Sequence, residues 1–212
     1  MSFLWNYADT YGSLIPLVTL LIIFYKKKYP GYCIPLAWYF ILSIIVFGIS
    51  NYLADRKINN LLLYNIFAVI ELTLVSWFFR KLFAWKNKIF FLVLFFFILF
   101  FFFNIAFLED YSTLNSNVIA VEFMIIIIYC FRYYVLLSKT DKIITFFNEP
   151  AFWIVSAFFI YFSTCIMVFV FYKYAAKIDR RFILDFWMLQ VIMYLIKNLL
   201  ITKGFLCFKT NK

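Results

Sequence analysis

The stretch LLLYNIFAVIELTLVSWFF, residues 61–79, decides the fold class. It carries a single charged side chain, Glu71, and it is close to the ~20 apolar residues that a helix needs to cross ~30 Å of hydrocarbon. The stretch therefore predicts a transmembrane helix. A carboxylate near the bilayer centre must be protonated, paired or solvated by water, so Glu71 also predicts that one face of this helix looks into the protein.

Six further stretches have the same apolar character, and the seven together occupy most of the 212 residues. The hydrophobic fraction is 67%, well above the ~45–50% that is typical of soluble domains. We predict an all-α, polytopic bundle of seven transmembrane helices that forms one domain over residues 1–212, with no appended soluble catalytic domain. The predicted helices cover residues 5–25, 33–53, 61–79, 89–108, 118–137, 151–172 and 182–201.

The chain contains no histidine, which removes bis-His haem ligation, His-based zinc sites and a Ser-His-Asp triad. Its four cysteines are widely spaced without a CxxC pair, and this pattern predicts free, buried thiols. We therefore expect no cofactor and no metal. The first helix is not preceded by the basic region of a cleavable signal peptide, so we expect it to be retained.

The distribution of charge predicts the orientation. Alternating assignment of the connections places most Lys and Arg residues on one side, so we expect the N-terminus outside and the C-terminus in the cytoplasm. The segment KYAAKIDRR, residues 173–181, contradicts this bias because it places four basic residues on the outer side. The net charge of +10 otherwise suits inner-face loops beside anionic lipid. We expect the lipid bilayer as a partner and no nucleic acid.

Several ionisable residues lie inside the predicted helices, and three of them are the candidates for an intramembrane site. Glu71 lies ten residues into the third helix, Glu122 four residues into the fifth, and Lys197 four residues from the inner end of the seventh. With a helical rise of ~1.5 Å per residue, Lys197 lies about 8 Å deeper than Glu71 and about 16 Å from Glu122. These depths predict that any salt bridge joins Glu71 to Lys197. Alternatively, the Lys197 side chain snorkels to the cytoplasmic headgroups.

Helical spacing arranges the polar residues of several helices in stripes. Gln190, Tyr194 and Lys197 recur at intervals of four and three, and Tyr64 shares a face of the third helix with Glu71. We expect the stripes to converge on one intramembrane chamber, although such residues can also simply hold helices together. The candidate binding residues are Glu71, Glu122, Lys197, Asn198, Gln190, Tyr194, Tyr161 and Tyr64.

Several segments resemble a family of small bacterial membrane proteins of about 200 residues whose function is uncharacterised. They are NNLLLYNIFAVIELTLVSWFF (59–79), YSTLNSNVIAVE (111–122), EPAFWIVSAFFIYFSTCIMVF (149–169) and KNLLITKGF (197–205). Glu71, Glu122 and Asn198 fall on family positions, whereas Lys197 does not. The resemblance implies seven helices, a location in the bacterial cytoplasmic (inner) membrane and an association with sensory signalling systems.

Together these features favour a non-enzymatic sensory, ligand-binding or accessory module with a polar intramembrane chamber, with a membrane signalling protein as its expected partner. Three alternatives stay open. A small-solute or ion-coupled transporter would use the same chamber. An intramembrane lipid hydrolase would use Glu71 and Glu122 as an acid/base pair, against an estimated axial offset of about 9 Å by the helical rise. A retinal-binding protein would use Lys197 for the Schiff base and Glu71 as its counter-ion.

Overall fold

The computed structural model is all-helical over the residues that it describes, which are 8–25, 29–110, 112–139, 146–178 and 180–208. For residues 9 and 172–186 the description covers the backbone alone. Seven α-helices and one short 3-10 turn, Phe146–Asn148, make up these ranges. The helices are α1 (Ala8–Tyr25), α2 (Cys33–Asp55), α3 (Leu61–Phe83), α4 (Asn87–Phe107), α5 (Ser116–Ser138), α6 (Pro150–Ile178) and α7 (Arg180–Cys207).

Six of these helices, α2 to α7, are long and apolar enough to cross a membrane. The apolar part of α1, Thr10–Tyr25, is shorter than the other six. The predicted helical class and the predicted multi-pass membrane character are therefore confirmed for six helices. Trp5, at which the first predicted helix begins, lies outside the described residues. None of the four cysteines forms a disulfide with another described residue, and Cys33, Cys130 and Cys165 are buried, as predicted.

Most helices begin and end within a few residues of the predicted positions, but α6 and α7 are longer. The segment 173–181 was predicted as a loop, yet α6 continues to Ile178 and α7 begins at Arg180. This prediction was wrong because the segment is rich in Lys, Ala and Arg, which favour helix, and contains no Gly or Pro to end one. The C-terminal end also differs, since α7 continues to Cys207 instead of stopping near residue 201.

The helices pack in a ring. In the described part of the chain, the principal contacts follow the order α1, α2, α3, α5, α6, α7 and back to α1. Helix α4 lies outside this ring and packs against α3 and α5. Although it follows α3 directly in sequence, α4 therefore contributes little to the interior. The enclosed space is bounded by the other six helices.

The sequence of α4 explains its outer position. Its buried residues are Phe90, Phe97 and Asn104, which follow one another at intervals of seven and form one narrow stripe. The other faces carry exposed aromatic residues, such as Phe95, which is 63% exposed. A helix with apolar residues on every side suits contact with lipid on most of its surface. All of α4 outside this stripe is therefore available for contact with lipid.

A buried polar cluster fixes the end of α4 to the start of α5. Asn104 donates a hydrogen bond to Glu109 Oε2 at 2.7 Å, and Ser116 donates to Glu109 Oε1 at 2.8 Å. The amide of Asn117 donates its side-chain N–H to Asn104 Oδ1 at 3.1 Å. Because the carboxylate lies at the N-terminal end of α5, it also interacts favourably with the dipole of that helix. The cluster holds the first turn of α5, two turns before Glu122.

Helices α6 and α7 approach each other closely at Gly204. A β-carbon at this position would lie 2.9 Å from the carbonyl oxygen of Pro150 and 3.0 Å from the side chain of Ile154. Only glycine leaves room for this approach without a shift. The close crossing anchors the end of α7, the helix that carries Lys197.

Candidate functional site

Glu71 lies in the middle of α3 and faces the interior of the ring. Its side chain is 7% exposed, and Tyr39 of α2 donates its hydroxyl hydrogen to Glu71 Oε1 at 2.8 Å. A carboxylate that is removed from water needs such donors, because an unsatisfied buried charge is costly. Glu71 therefore accepts a hydrogen bond from a residue of another helix, and its side chain points inward as expected.

Lys197 of α7 is fully enclosed, with an exposed fraction of 1%. Its ammonium donates a hydrogen bond to the Tyr39 hydroxyl. The same nitrogen lies over three tyrosine rings, 3.9 Å from the centroid of Tyr194, 4.4 Å from that of Tyr161 and 4.9 Å from that of Tyr39. Cation–π attraction of this kind strengthens when the cation is desolvated.

The alternative that Lys197 snorkels to the headgroups is therefore wrong. Because α7 ends at Cys207, Lys197 lies ten residues from the end of its helix, or about 15 Å at the helical rise. That distance exceeds the reach of a lysine side chain. The side chain instead turns inward to the tyrosine rings.

The expected salt bridge between Glu71 and Lys197 is replaced by a relay. Within the described chain the two charged groups form no direct ion pair, and the hydroxyl of Tyr39 accepts from one and donates to the other. The estimated depth difference of about 8 Å explains this arrangement, since a phenol ring fills the gap that direct pairing would have to close. Glu71, Tyr39 and Lys197 thus form one hydrogen-bonded cluster in the interior of the ring.

Glu122 of α5 has a different environment. It is 1% exposed, and neither carboxylate oxygen has a hydrogen-bond partner among the described residues. Its carboxyl group adjoins that of Glu71, so that one proton held between them would join the two carboxyls by a hydrogen bond. The axial offset of about 9 Å estimated between Glu71 and Glu122 from the helical rise was too large. Helix α5 begins at Ser116, so Glu122 is six residues into the helix instead of four.

A cavity of about 40 Å³ lies between these groups. One water needs roughly 10–15 Å³, so the cavity holds about three. Both glutamates face it, and the wall is otherwise mainly aromatic. Six of the eight predicted site residues line it, namely Tyr64, Glu71, Glu122, Tyr161, Gln190 and Tyr194.

The two remaining predicted residues do not line the cavity. The ammonium of Lys197 lies over the rings of Tyr161 and Tyr194, and these rings line the cavity in its place. Asn198 is buried, with neither amide atom hydrogen-bonded among the described residues. It lies near the backbone of Gly12, where a β-carbon would be 3.5 Å from its side-chain nitrogen. The predicted chamber is therefore lined by six of the eight residues that were assigned to it, without Lys197 and Asn198.

Residues of α2 were missed by sequence reasoning. Tyr39 joins the charged groups, and Phe47 contributes to the cavity wall. A signal for the buried face of α2 was present, because Tyr39, Ser43 and Ser50 lie at intervals of four and seven and all three are fully buried. Among sixteen tyrosines, one tyrosine in an apolar run did not stand out.

The arrangement has a definite electrostatic character. Two carboxyl groups and one ammonium are enclosed together, and among the described residues the ammonium contacts tyrosines. If both carboxyls are ionised, the cluster lacks one positive charge, and an uncompensated buried charge is strongly unfavourable. The site can therefore take up a proton or another cation. Comparison with protein-family models, curated proteins and solved structures finds no match to this chain.

Proposed function

We propose that this protein is a non-enzymatic ligand-binding module of the membrane, in which a small solute enters the cavity between Glu71 and Glu122 and changes the packing of the ring. One observation carries the proposal. The Glu122 carboxylate is buried beside a cavity, and neither of its oxygens has a hydrogen-bond partner among the described residues.

The same observation weakens the alternative that the polar residues only hold helices together. A residue that stabilises helix contacts does so by hydrogen bonding to a partner. Leaving a buried acceptor without one costs about 1–3 kcal/mol, and more for a charged group. Glu122 has no donor on either oxygen among the described residues, so it depends on water, a shared proton or a ligand in the cavity, and a buried carboxyl of this kind is typical of a functional site.

The arrangement in the membrane is part of the proposal. We propose that α1 crosses the bilayer together with the six longer helices, with the N-terminus outside and the C-terminus in the cytoplasm. The excess of basic residues on one side supports this orientation. The proposed location is the bacterial inner membrane, where the protein would act as an accessory to a membrane signalling protein.

A cysteine accessibility experiment tests the proposed function. Gln190 lines the cavity, and Gln190→Cys would be made in a Cys207→Ser background, because Cys207 is the least buried of the native cysteines. A small water-soluble thiosulfonate should label this site at least about tenfold faster than the matched control Ile196→Cys, since reaction needs a solvated thiolate. Ile196 is also in α7 but is exposed on the outer surface of the bundle.

The thiosulfonate group attached at position 190 then fills the cavity as a covalently bound ligand would. Labelling at position 190 should change the unfolding temperature of the protein in nanodiscs, whereas the same group at position 196 should leave it nearly unchanged. If position 190 reacts no faster than position 196, the interior is dry and the proposal fails. The proposal also fails if filling the cavity has no effect on stability.

A second candidate function is an ion-coupled carrier of small solutes. The missing positive charge at Glu71 and Glu122 favours it, because a site that exchanges a proton for another cation is what coupled transport needs. Counterflow of a labelled solute in liposomes would distinguish a carrier from a binding module. The lipid hydrolase and the retinal-binding protein have less support, since a cavity of about 40 Å³ is much smaller than a lipid ester or a polyene chromophore.

A further inference from the structure

We propose that the ligand of this cavity is a small primary ammonium ion, bound by Glu122 and Gln190 within aromatic walls. The inference rests on the proposed function and specifies its ligand class. Four properties of the site carry it: unpaired acceptors, missing charge, aromatic lining and size.

The acceptors come first. Both carboxylate oxygens of Glu122 and the Oε1 atom of Gln190 are buried without hydrogen-bond partners in the described structure, and both residues line the cavity. A primary ammonium carries three N–H donors and no acceptor. It therefore matches these three acceptors in number, which a quaternary ammonium or an anion cannot do.

The charge of the site points to the same class. Lys197 donates to Tyr39, which donates to Glu71, so Glu71 has a hydrogen-bonded route to a cation. Glu122 accepts no hydrogen bond from a described donor, and its carboxyl lies beside that of Glu71, so the ionised pair shares the single charge of Lys197. A ligand with one positive charge would neutralise the cluster, and hydrogen bonds between charged groups contribute more than neutral ones.

The walls of the cavity favour an organic cation. Phe47, Phe67, Phe123 and Trp187 are among the lining residues, and aromatic faces attract ammonium groups. A bare metal ion would instead need several oxygen ligands. The protein already holds one primary ammonium in similar surroundings, because Lys197 lies over Tyr161 and Tyr194, and both of these tyrosines also line the cavity.

The size of the site limits the ligand further. A cavity of about 40 Å³ has room for about three water-sized groups, given roughly 10–15 Å³ for each. Methylammonium fits such a space. A larger amine could place only its ammonium end there, with the remainder in the opening of the cavity.

The test uses the full-length protein in nanodiscs and methylammonium chloride as the probe. We expect a saturable rise of the unfolding temperature with methylammonium, because a ligand that binds only the folded state stabilises it. Tetramethylammonium chloride and sodium chloride at the same ionic strength should give no saturable rise. Equal effects of all three salts, or no effect of methylammonium, would overturn the inference.

Two variants connect the effect to the site. Glu122→Gln removes the charge and keeps the shape, and it should raise the apparent dissociation constant for methylammonium at least about tenfold, as expected for the loss of a charge-assisted hydrogen bond. Gln190→Ala leaves both carboxylates in place and should raise it about threefold to tenfold by the loss of a single acceptor. Asp110→Asn, at an exposed carboxylate outside the cavity, is the matched control and should leave it unchanged.

The outcomes separate this inference from the proposed function. If Glu122→Gln does not fold, the Gln190→Ala result decides, and an unchanged affinity there rejects the ammonium site. If the Gln190→Cys variant is labelled readily but methylammonium does not stabilise the protein, the cavity binds another class of solute and only this inference fails. If the Gln190→Cys variant is not labelled, the proposed function fails as well.

Discussion

Lys197 and Glu71 are connected through one shared atom, the hydroxyl oxygen of Tyr39, which accepts a hydrogen bond from the ammonium and donates one to the carboxylate. The three residues come from α7, α3 and α2, and α7 is far from the other two in sequence. Helices α2 and α7 are not neighbours in the ring. The relay therefore crosses the interior of the bundle, and its loss should affect the whole ring.

Tyr39→Phe tests the relay directly, because it removes the shared hydroxyl and keeps the ring. Both Lys197 and Glu71 lose a partner in a buried environment, so we expect the free energy of unfolding to fall by about 2–5 kcal/mol. Unfolding in mixed micelles would measure this loss. Tyr134→Phe is the control, since its hydroxyl contacts Ser156 at 2.9 Å in a less buried position. Equal losses in the two variants would contradict the relay.

A double-mutant cycle tests whether the charges of Glu71 and Lys197 depend on each other. Lys197→Met alone leaves two buried carboxyl groups without a cation and should be strongly destabilising. Adding Glu71→Gln should recover part of this loss, with a coupling energy of about 1–3 kcal/mol, which is the range for residues of one network. Unfolding free energies of the four proteins give the coupling directly. Additive effects would show that the two side chains act independently.

Gly204→Ala tests the close approach of α6 and α7. The new methyl group would meet the Pro150 carbonyl oxygen at 2.9 Å, and we expect a loss of about 1–3 kcal/mol, as for overpacking elsewhere. Gly48→Ala is an internal control in α2, because nothing lies within 4 Å of its β-carbon position. There the better helix propensity of alanine should raise stability by up to ~1 kcal/mol. If both variants respond alike, the crossing is looser than the structure indicates.

The orientation can be tested from the two connections that meet at one end of the ring. Asn59, between α2 and α3, donates to the backbone oxygen of Ser112, between α4 and α5, at 2.8 Å. Cysteines at both positions should react with a membrane-impermeant maleimide added outside intact cells, as the basic-residue bias predicts. A cysteine at Asn87, at the opposite end of α3 and α4, should react only after lysis. The reverse pattern would invert the proposed topology.

Much of the fold could be predicted because lipid imposes a strong constraint on sequence. A segment such as residues 61–79 has few alternatives to a membrane-spanning helix, and helical periodicity correctly grouped Glu71, Gln190 and Tyr194 around one interior. Periodicity shows which face of a helix is polar. When several helices each have one polar face, those faces must meet.

The errors concern features that periodicity does not contain. The direction of the Lys197 side chain depends on the end of α7 and on tyrosines from other helices, so residue depth alone left both a salt bridge with Glu71 and snorkelling open. The charge of residues 173–181 predicts a loop, whereas their lysine, alanine and arginine residues continue α6 to Ile178.

The Tyr39 hydroxyl carries only one hydrogen, and this has a consequence for the whole cluster. It can serve both neighbours in just one orientation, with its lone pair toward Lys197 and its hydrogen toward Glu71. Adding a proton to the carboxylate, or removing one from the amine, weakens the charge-assisted hydrogen bonds that hold the hydroxyl in this orientation. The vibrational bands of a single phenol would then report the ionisation state of groups contributed by three separate helices, without any added label.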